Sequence, residues 1–194
     1  MWIKDEEFIR GQVPMTKFSV RSLIIANLAI EAGDRLLDIG CGTGSISVEA
    51  ACHGATVFAV DKNPEAVDLT KENAKKFGQD IEVLERNVPD GLDDIKINKC
   101  FVGGSTGRLE DIFSYLEKNL EVGGVLVGSF ILLKNLFEFK ELLKKYEYKD
   151  IEVNLVQVAT EDKIGLMRGE NPIFIVKGVK VWYILLEQDQ EILT

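Results

Sequence analysis

The chain of 194 residues holds only three cysteines, Cys41, Cys52 and Cys100, and a single histidine, His53. The cysteines have no paired or metal-ligand spacing, so neither a disulfide framework nor a metal site is expected, and a reducing cytoplasm is the expected setting. Long hydrophobic runs are missing as well: the stretch Val125 to Leu133 is too short and too interrupted to span a bilayer. The opening Met1-Trp2-Ile3-Lys4-Asp5-Glu6 lacks the basic start and apolar stretch of a secretory leader. Positive charge is in deficit, with a net charge of −9. That argues against a nucleic acid as partner, because a phosphate backbone requires a concentrated Lys/Arg surface. The basic blocks Lys75-Lys76 and Lys140 to Lys145 sit in helical patterns mixed with acids and read as solvated helix faces. No linker, internal repeat or low-complexity tract divides residues 1–194. One globular domain is expected, since 46% hydrophobic and 28% charged residues supply both a full core and a soluble surface.

What is present is an alternation of strand and helix patterns, the mark of a mostly parallel sheet with helices on both faces. After an irregular lead-in over residues 1–15, Thr16 reads as the N-cap of a helix with Val20, Leu23, Ile24 and Leu28 on one face, closed by Gly33. Strands are expected at Arg35–Ile39, Thr56–Val60, Ile81–Glu85, Cys100–Val102 and Val125–Phe130. Helices are expected at Ser45–His53, from the Asn63-Pro64 start to about Phe77, through Leu109–Leu120, and over Asn135–Lys145. The alternation then breaks. Ile151–Ala159 and Ile173–Lys180 both read as strands with no helix between them, which predicts an antiparallel pair at the sheet edge. Residues 181–194 read as a possible further strand and an acidic tail.

The most informative stretch is Leu36-Leu37-Asp38-Ile39-Gly40-Cys41-Gly42-Thr43-Gly44, followed one helix later by an apolar run ending on Asp61. Glycines at alternate positions just past a strand let the backbone turn sharply and approach a ligand closely. An acid closing the next strand can accept both hydroxyls of a ribose. A dinucleotide turn would read G-x-G-x-x-G, but Ser45 stands where its third glycine belongs, and a phosphate loop would carry a Lys that Ser45-Ile46-Ser47 does not supply. The D-I-G-C-G-T-G run with Asp61 beyond it resembles the first two motifs of class I S-adenosylmethionine-dependent methyltransferases. That resemblance implies a Rossmann-like α/β sheet of seven strands, mostly parallel, with an antiparallel edge hairpin, and S-adenosyl-L-methionine as cofactor.

Ligands in such sheets bind beyond the carboxyl ends of the strands. The amides of Gly40, Cys41, Gly42, Thr43 and Gly44 can face a cofactor carboxylate beside the following helix N-terminus, with Cys41 read as a small spacer in the turn rather than a nucleophile. After the third strand, Asn87 and Val88 stand where this class commonly meets the adenine, though Asn87 and Pro89 also suit a plain turn. After the fourth, Gly103, Gly104 and Ser105 leave space for a bulky substrate. No Asn/Asp-Pro-Pro-aromatic run follows that strand, Cys100 is expected at its far end, and His53 reads as a surface or capping residue. The chemistry implied needs little acid/base machinery: a conjugated, electron-rich carbon held in line with an activated methyl.

Segments outside the generic motifs narrow the family. Asp5-Glu6-Glu7-Phe8-Ile9-Arg10 with Val13-Pro14-Met15-Thr16-Lys17, then Phe101-Val102-Gly103-Gly104-Ser105, then Asn171-Pro172-Ile173-Phe174-Ile175, resemble the CbiT family over about Ile3 to Gly178. These are the decarboxylating precorrin carbon-15 methyltransferases of cobalamin biosynthesis. The resemblance implies methylation of (cobalt-)precorrin-6B with loss of carbon dioxide from its carbon-12 acetate, a homotetramer, and a cofactor contact from Thr16. Arg86-Asn87 departs from the small residue followed by Asp expected of the family, and the stretch Glu161 to Gly169 diverges. A tetrapyrrole bearing several carboxylates needs local cations, for which Lys17, Arg108, Lys163 and Arg168 are candidates. Other readings are a methyltransferase acting on tRNA or protein, which would show a basic groove, and a non-enzymatic module that keeps the cofactor fold alone.

Overall fold

A computed structural model of the protein describes residues 2–181; the tail expected over 181–194 therefore lies outside the described residues apart from Val181. The strands are β1 (Arg35–Ile39), β2 (Thr56–Asp61), β3 (Ile81–Glu85), β4 (Ile97–Val102), β5 (Leu120–Phe130), β6 (Lys149–Val156), β7 (Ala159–Glu161), β8 (Met167–Gly169) and β9 (Ile173–Val179). The helices are α1 (Phe18–Leu28), α2 (Ser45–Cys52), α3 (Pro64–Lys76), α4 (Leu109–Asn119) and α5 (Leu133–Lys145). Seven strands form one sheet in the order β3-β2-β1-β4-β5-β9-β6. The first five pair in parallel, and β9 inserts antiparallel between β5 and β6. This is the mixed sheet with an antiparallel edge that the sequence predicts.

Period-two alternation along the central strands divides the core. Leu37, Ile39, Cys100, Val102 and Leu126 pack with α4 and α5, whereas Leu36, Phe101, Val125 and Val127 pack with α1 and α2. On α4, Leu109, Ile112, Phe113 and Leu116 are all buried at helical spacing. Phe113 meets Phe139 of α5 at 5.2 Å between ring centroids, so truncating it to alanine should cost about 3–5 kcal/mol. The C-terminal carbonyls of α4 receive an unusual cap: Lys180, just past β9, reaches Leu120 O at 2.8 Å, Leu116 O at 3.2 Å and Glu117 O. On α3, Asn63 caps the helix by accepting from Glu65 N, with Pro64 in the first turn.

Five local expectations are corrected. Thr16 is not the N-cap of α1. Lys17 holds that position, its carbonyl accepting from Val20 N and Arg21 N, while Thr16 offers its own carbonyl to Arg21 and Ser45. Leu23 is exposed, because the buried stripe of α1 runs through Val20, Arg21, Ile24, Ile25 and Leu28 and so includes a charged residue. The helix closes on left-handed Ala29, four residues before Gly33. Strand β4 starts at Ile97, which places Cys100 in mid-strand. Finally, the segment between β6 and β9 holds a separate two-stranded hairpin, β7–β8, so Ala159 belongs to that hairpin and not to the main sheet.

Candidate functional site

The chain runs outward from β1 to β2 and β3, then returns on the other side of β1 as β4. At that reversal a crevice lies at the carboxyl edge of the sheet, where ligands of open α/β sheets bind. A cavity of about 600 Å³ occupies it, lined by the lead-in residues Val13–Lys17, the β1 turn, and the segments following β2, β3, β4 and β5. The volume is that of a small-molecule site.

The turn after β1 is a built cradle. Gly40 (φ 77°), Gly42 (φ 58°) and Gly44 (φ 75°) are all in the left-handed region. A Cβ on Gly40 would lie 2.7 Å from Gly104 N, and one on Gly42 would lie 3.0 Å from Pro14 O. The β1 turn is thus pressed between the β4 turn and the lead-in. Gly44 ends it as the N-cap of α2 and supplies no side-chain cap, leaving the first-turn amides without one.

Two carboxylates stand over this cradle. Asp61, at the tip of β2, accepts from Gly42 N at 3.1 Å and from Asn63 N at 2.9 Å, one bond per oxygen. Each oxygen keeps acceptor capacity for a ligand hydroxyl. Asp38 was not among the residues singled out from sequence. It is fully buried on β1, lines the cavity, and takes a hydrogen bond from Ser47 Oγ on Oδ2 while Oδ1 has no partner among the described residues. Burial pushes its carboxyl up to about 7; the Ser47 hydrogen bond pulls against this and the charge of Asp61 adds to it. The signal was available, since an ionisable residue interrupting an apolar strand run calls for a partner the sequence does not name.

Of the residues expected to meet the cofactor, Thr16, Gly40, Cys41, Gly42, Asp61, Asn87 and Val88 line the cavity. Thr43 and Gly44 do not. Thr43 is buried, its hydroxyl without a partner among the described residues and its carbonyl held by Asn73, so its place is behind the turn. The Cys41 thiol contacts Thr70 Oγ1 at 3.4 Å, and burial raises its pKa, consistent with a spacer and not a nucleophile. Cys100 is likewise buried, with its thiol raised well above the usual range by burial. His53 caps α2 against Trp2, 4.8 Å between ring centroids, away from the cavity lining.

Of the residues expected to meet substrate, Lys17, Gly103, Gly104 and Ser105 line the cavity. Arg108, Lys163 and Arg168 are not part of that lining. Arg108 is consumed by Asp90 and Asp111 (2.8 Å) and by Asn87 O (3.2 Å), fastening the loop after β3 to the start of α4. Lys163 and Arg168 belong to the β7–β8 hairpin, where Arg168 pairs with Asp162 at 2.9 Å. Besides Lys17, the cations at the cavity are Lys62 and Arg86. Sequence reasoning also missed Ile131, Leu132 and Asn135 beyond β5, and Glu170 after β8. The rule that strand carboxyl ends carry ligand contacts, applied to β5, would have found the first three.

Comparison with known proteins follows the same lines. Residues 7–183 match the family model described as a precorrin methyltransferase domain. The probable cobalt-precorrin-6B C(15)-methyltransferase (decarboxylating) of Saccharolobus solfataricus is 36% identical over 189 residues, spanning 92% of this chain and 95% of that protein. Its namesake from Pyrobaculum calidifontis is 40% identical over 184 residues, spanning 90% and 93%. Among solved structures, precorrin-6Y C5,15-methyltransferase from Geobacter metallireducens superimposes with a TM-score of 0.87 at 31% identity, over 93% of this chain and 97% of that one. Precorrin 8W decarboxylase from Methanobacterium thermoautotrophicum gives 0.84 at 32% identity, over 91% and 98%. Cavity, cradle and relatives agree, and the chain belongs to the precorrin methyltransferase family.

Proposed function

We propose that this chain methylates carbon 15 of cobalt-precorrin-6B, or its cobalt-free equivalent, using S-adenosyl-L-methionine, and releases carbon dioxide from the carbon-12 acetate of the same macrocycle. The observation that carries the reading is the cavity that joins the glycine cradle and its two carboxylates to a wide apolar mouth. The cofactor supplies an activated methyl on a sulfonium. The residues present fit it: Asp61 has acceptor capacity for the ribose hydroxyls, and the unpartnered Oδ1 of buried Asp38 suits the amino-acid ammonium. Asn87 and Val88 line the cavity, which supports a contact with the adenine; the amides of Gly40 and Cys41 donate to Val60 O and that of Gly42 to Asp61, so these three are not assigned to the cofactor carboxylate.

The remainder of the work is positioning. Gly103 and Gly104 keep side chains out of the space beside the cradle, while Ile131 and Leu132 offer apolar surface to a flat ring at the mouth. Lys17 and Lys62 make no ion pair among the described residues and can meet peripheral carboxylates. No Cys or His base takes part in this account. The conjugated macrocycle itself receives the electron pair released with carbon dioxide.

The proposal extends to a single domain acting in the cytoplasm as a homotetramer. Edge strand β6 and the β7–β8 hairpin carry open apolar side chains, Leu155 at 60%, Ile164 at 82% and Met167 at 59% exposure, which support burial against other copies. Light scattering tests the tetramer, and Leu155→Glu should dissociate it. The activity is tested by incubating the protein with both substrates and weighing the product. Gain of one methyl with loss of carbon dioxide is expected; methyl gain alone would remove the decarboxylation, and no change would remove the enzymatic reading.

A further inference from the structure

Residues 2–17 lie outside the sheet, yet they form one wall of the cavity from Val13 to Lys17. Apart from a short 3-10 turn at Asp5–Glu7, this strap has no regular structure and no strand partner to hold it. Its position is fixed instead by side chains reaching out of the helices. On α3, Asn73 brackets Ile9, accepting from its N–H at 2.8 Å and donating to its carbonyl at 3.0 Å, and Glu65 accepts from Gln12 N at 2.6 Å.

The central fastener is Arg21 of α1. Its side chain has 0% exposure, as does that of its partner Glu49 on α2, 3.0 Å away. From this buried position the guanidinium reaches the strap at three places: the Ile3 carbonyl, Asp5 Oδ1 at 3.0 Å and the Thr16 carbonyl at 3.0 Å. Its flat face lies 4.8 Å from the centroid of Phe8, a fourth strap residue. Glu49 adds the reverse contact, accepting from Ile3 N. An Arg with a rigid five-donor fork can hold acceptors spread across the width of its guanidinium, which a compact ammonium cannot span.

The last of these attachments touches the site. Thr16 lines the cavity, its carbonyl is shared by Arg21 and by Ser45 at 3.3 Å, and Ser45 opens α2 next to the glycine cradle. Two residues earlier, Pro14 O packs against Gly42, where a Cβ would lie only 3.0 Å from it. Strap, cradle and α2 therefore meet through one buried cation. We infer that Arg21, paired with Glu49, is a positioning residue for the cofactor: it holds the strap in place as one wall of the cavity, and cofactor binding and strap closure are one coupled equilibrium. Arg21 touches no ligand itself and acts through the carbonyl of Thr16.

The inference rests on the cofactor reading of the cavity, and the experiment separates the two. Arg10 is exposed in the middle of the strap, so trypsin is expected to cleave after it in the wild-type protein. Saturating S-adenosylmethionine should slow that cleavage at least tenfold, because the strap opens less often when the cavity is filled. The double variant Arg21→Met with Glu49→Met removes both buried charges together and so avoids leaving either one unpaired. It should keep the wild-type circular dichroism spectrum, bind S-adenosylmethionine at least tenfold more weakly by calorimetry, and lose its strap more than tenfold faster to trypsin. Methyl transfer at saturating cofactor should stay within about threefold, since the lost interaction is one of binding. Arg21→Lys should fall between, because its ammonium keeps Glu49 paired and cannot span Ile3, Asp5 and Thr16. An unchanged cofactor affinity in the folded double variant would overturn the inference. So would cleavage after Arg10 in the wild type at the same rate with and without cofactor, a result that needs no variant to fold. Failure of the wild type to bind S-adenosylmethionine at all would instead overturn the cofactor reading.

Discussion

The two ends of the cavity are held by different means. Beneath β1 and β2 the wall is backbone, fixed by bonds: Gly42 is tied through its N–H to Asp61 and through its carbonyl to Thr70 at 3.1 Å, and Gly40 lies against Gly104. Beyond β5 the wall is side chain, and it stands open, with Ile131 at 56% and Leu132 at 64% exposure and no side chain capping α5. A ligand of fixed shape is best met by a rigid turn, where even one methyl group is excluded. A broad, partly flat ligand is met by apolar surface, where contacts are many and individually weak. Substitutions should therefore be severe at the first end and graded at the second.

Gly40→Val tests the first end most harshly. The residue has φ 77° and its Cβ would meet Gly104 N at 2.7 Å, so both the backbone and the neighbouring turn must shift. We expect cofactor affinity to fall more than about 100-fold, with a loss of roughly 2–4 kcal/mol in unfolding free energy from strain and overpacking. Calorimetry and a denaturant melt measure the two quantities; near-normal binding would erase the contrast between the ends. Asp61→Ala comes next. Loss of an acceptor for charged-group hydrogen bonds, with two backbone donors left unpaired, should cost about 2–3 kcal/mol, or roughly 30- to 150-fold in cofactor dissociation constant.

Asp38 sharpens the comparison through pH. Its carboxyl titrates near 7 in the folded chain against an ordinary value of 3.8. Between those values the folded chain holds a proton that the unfolded chain has released, so this group's contribution to stability falls as pH rises through that window and is level above it. Cofactor binding has the opposite slope. A cationic ammonium pairs with the ionised form, so affinity should drop up to about tenfold for each pH unit below 7. Asp38→Asn should bind more weakly than wild type above pH 7 and lose this dependence. A wild-type dissociation constant that is flat from pH 5.5 to 8 would show that Asp38 does not meet the cation.

How much of this was legible in the sequence follows the same division. The turn Gly40 to Gly44, the acid Asp61, strands β1 and β3 to the residue, and the Asn63 cap were all readable, because each is a local consequence of glycine, proline or period-two patterning. What was not readable depends on contacts distant in sequence. Arg21 is helical by spacing and looks solvated, but Glu49 and Asp5 draw it inside; its burial leaves Leu23, expected on that face, in solvent. Arg108 has the spacing of a ligand-side cation, yet Asp90 and Asp111 consume it. The β7–β8 hairpin is three residues per strand, too short to register as a period.

The open end gives smaller effects. Leu132→Ser removes apolar surface at the mouth while leaving the β1 turn untouched. At about 25 cal/mol per Å² the loss of part of one leucine face is roughly 1–2 kcal/mol, so KM for the macrocycle should rise about five- to thirtyfold with cofactor affinity unchanged. Equal losses for both ligands would mean that the two ends are not independent.

Arg168→Ala should change least. Its guanidinium is 65% exposed and its one partner among the described residues is Asp162, which also accepts from Ile164 N and Leu166 N within the same hairpin turn. Removing an exposed pair costs about 0–1 kcal/mol, and Asp162 keeps its backbone donors, so the hairpin should hold its shape. In the isolated chain the residue is outside the cavity lining, although Glu170, two residues on, is part of it. We expect KM for the macrocycle to stay within about twofold, measured at low ionic strength where any long-range attraction for substrate carboxylates is largest. A tenfold rise there, abolished by salt, would mean that the hairpin swings its cation toward the mouth when substrate arrives, and the open end would then owe its grip to charge as well as to apolar surface.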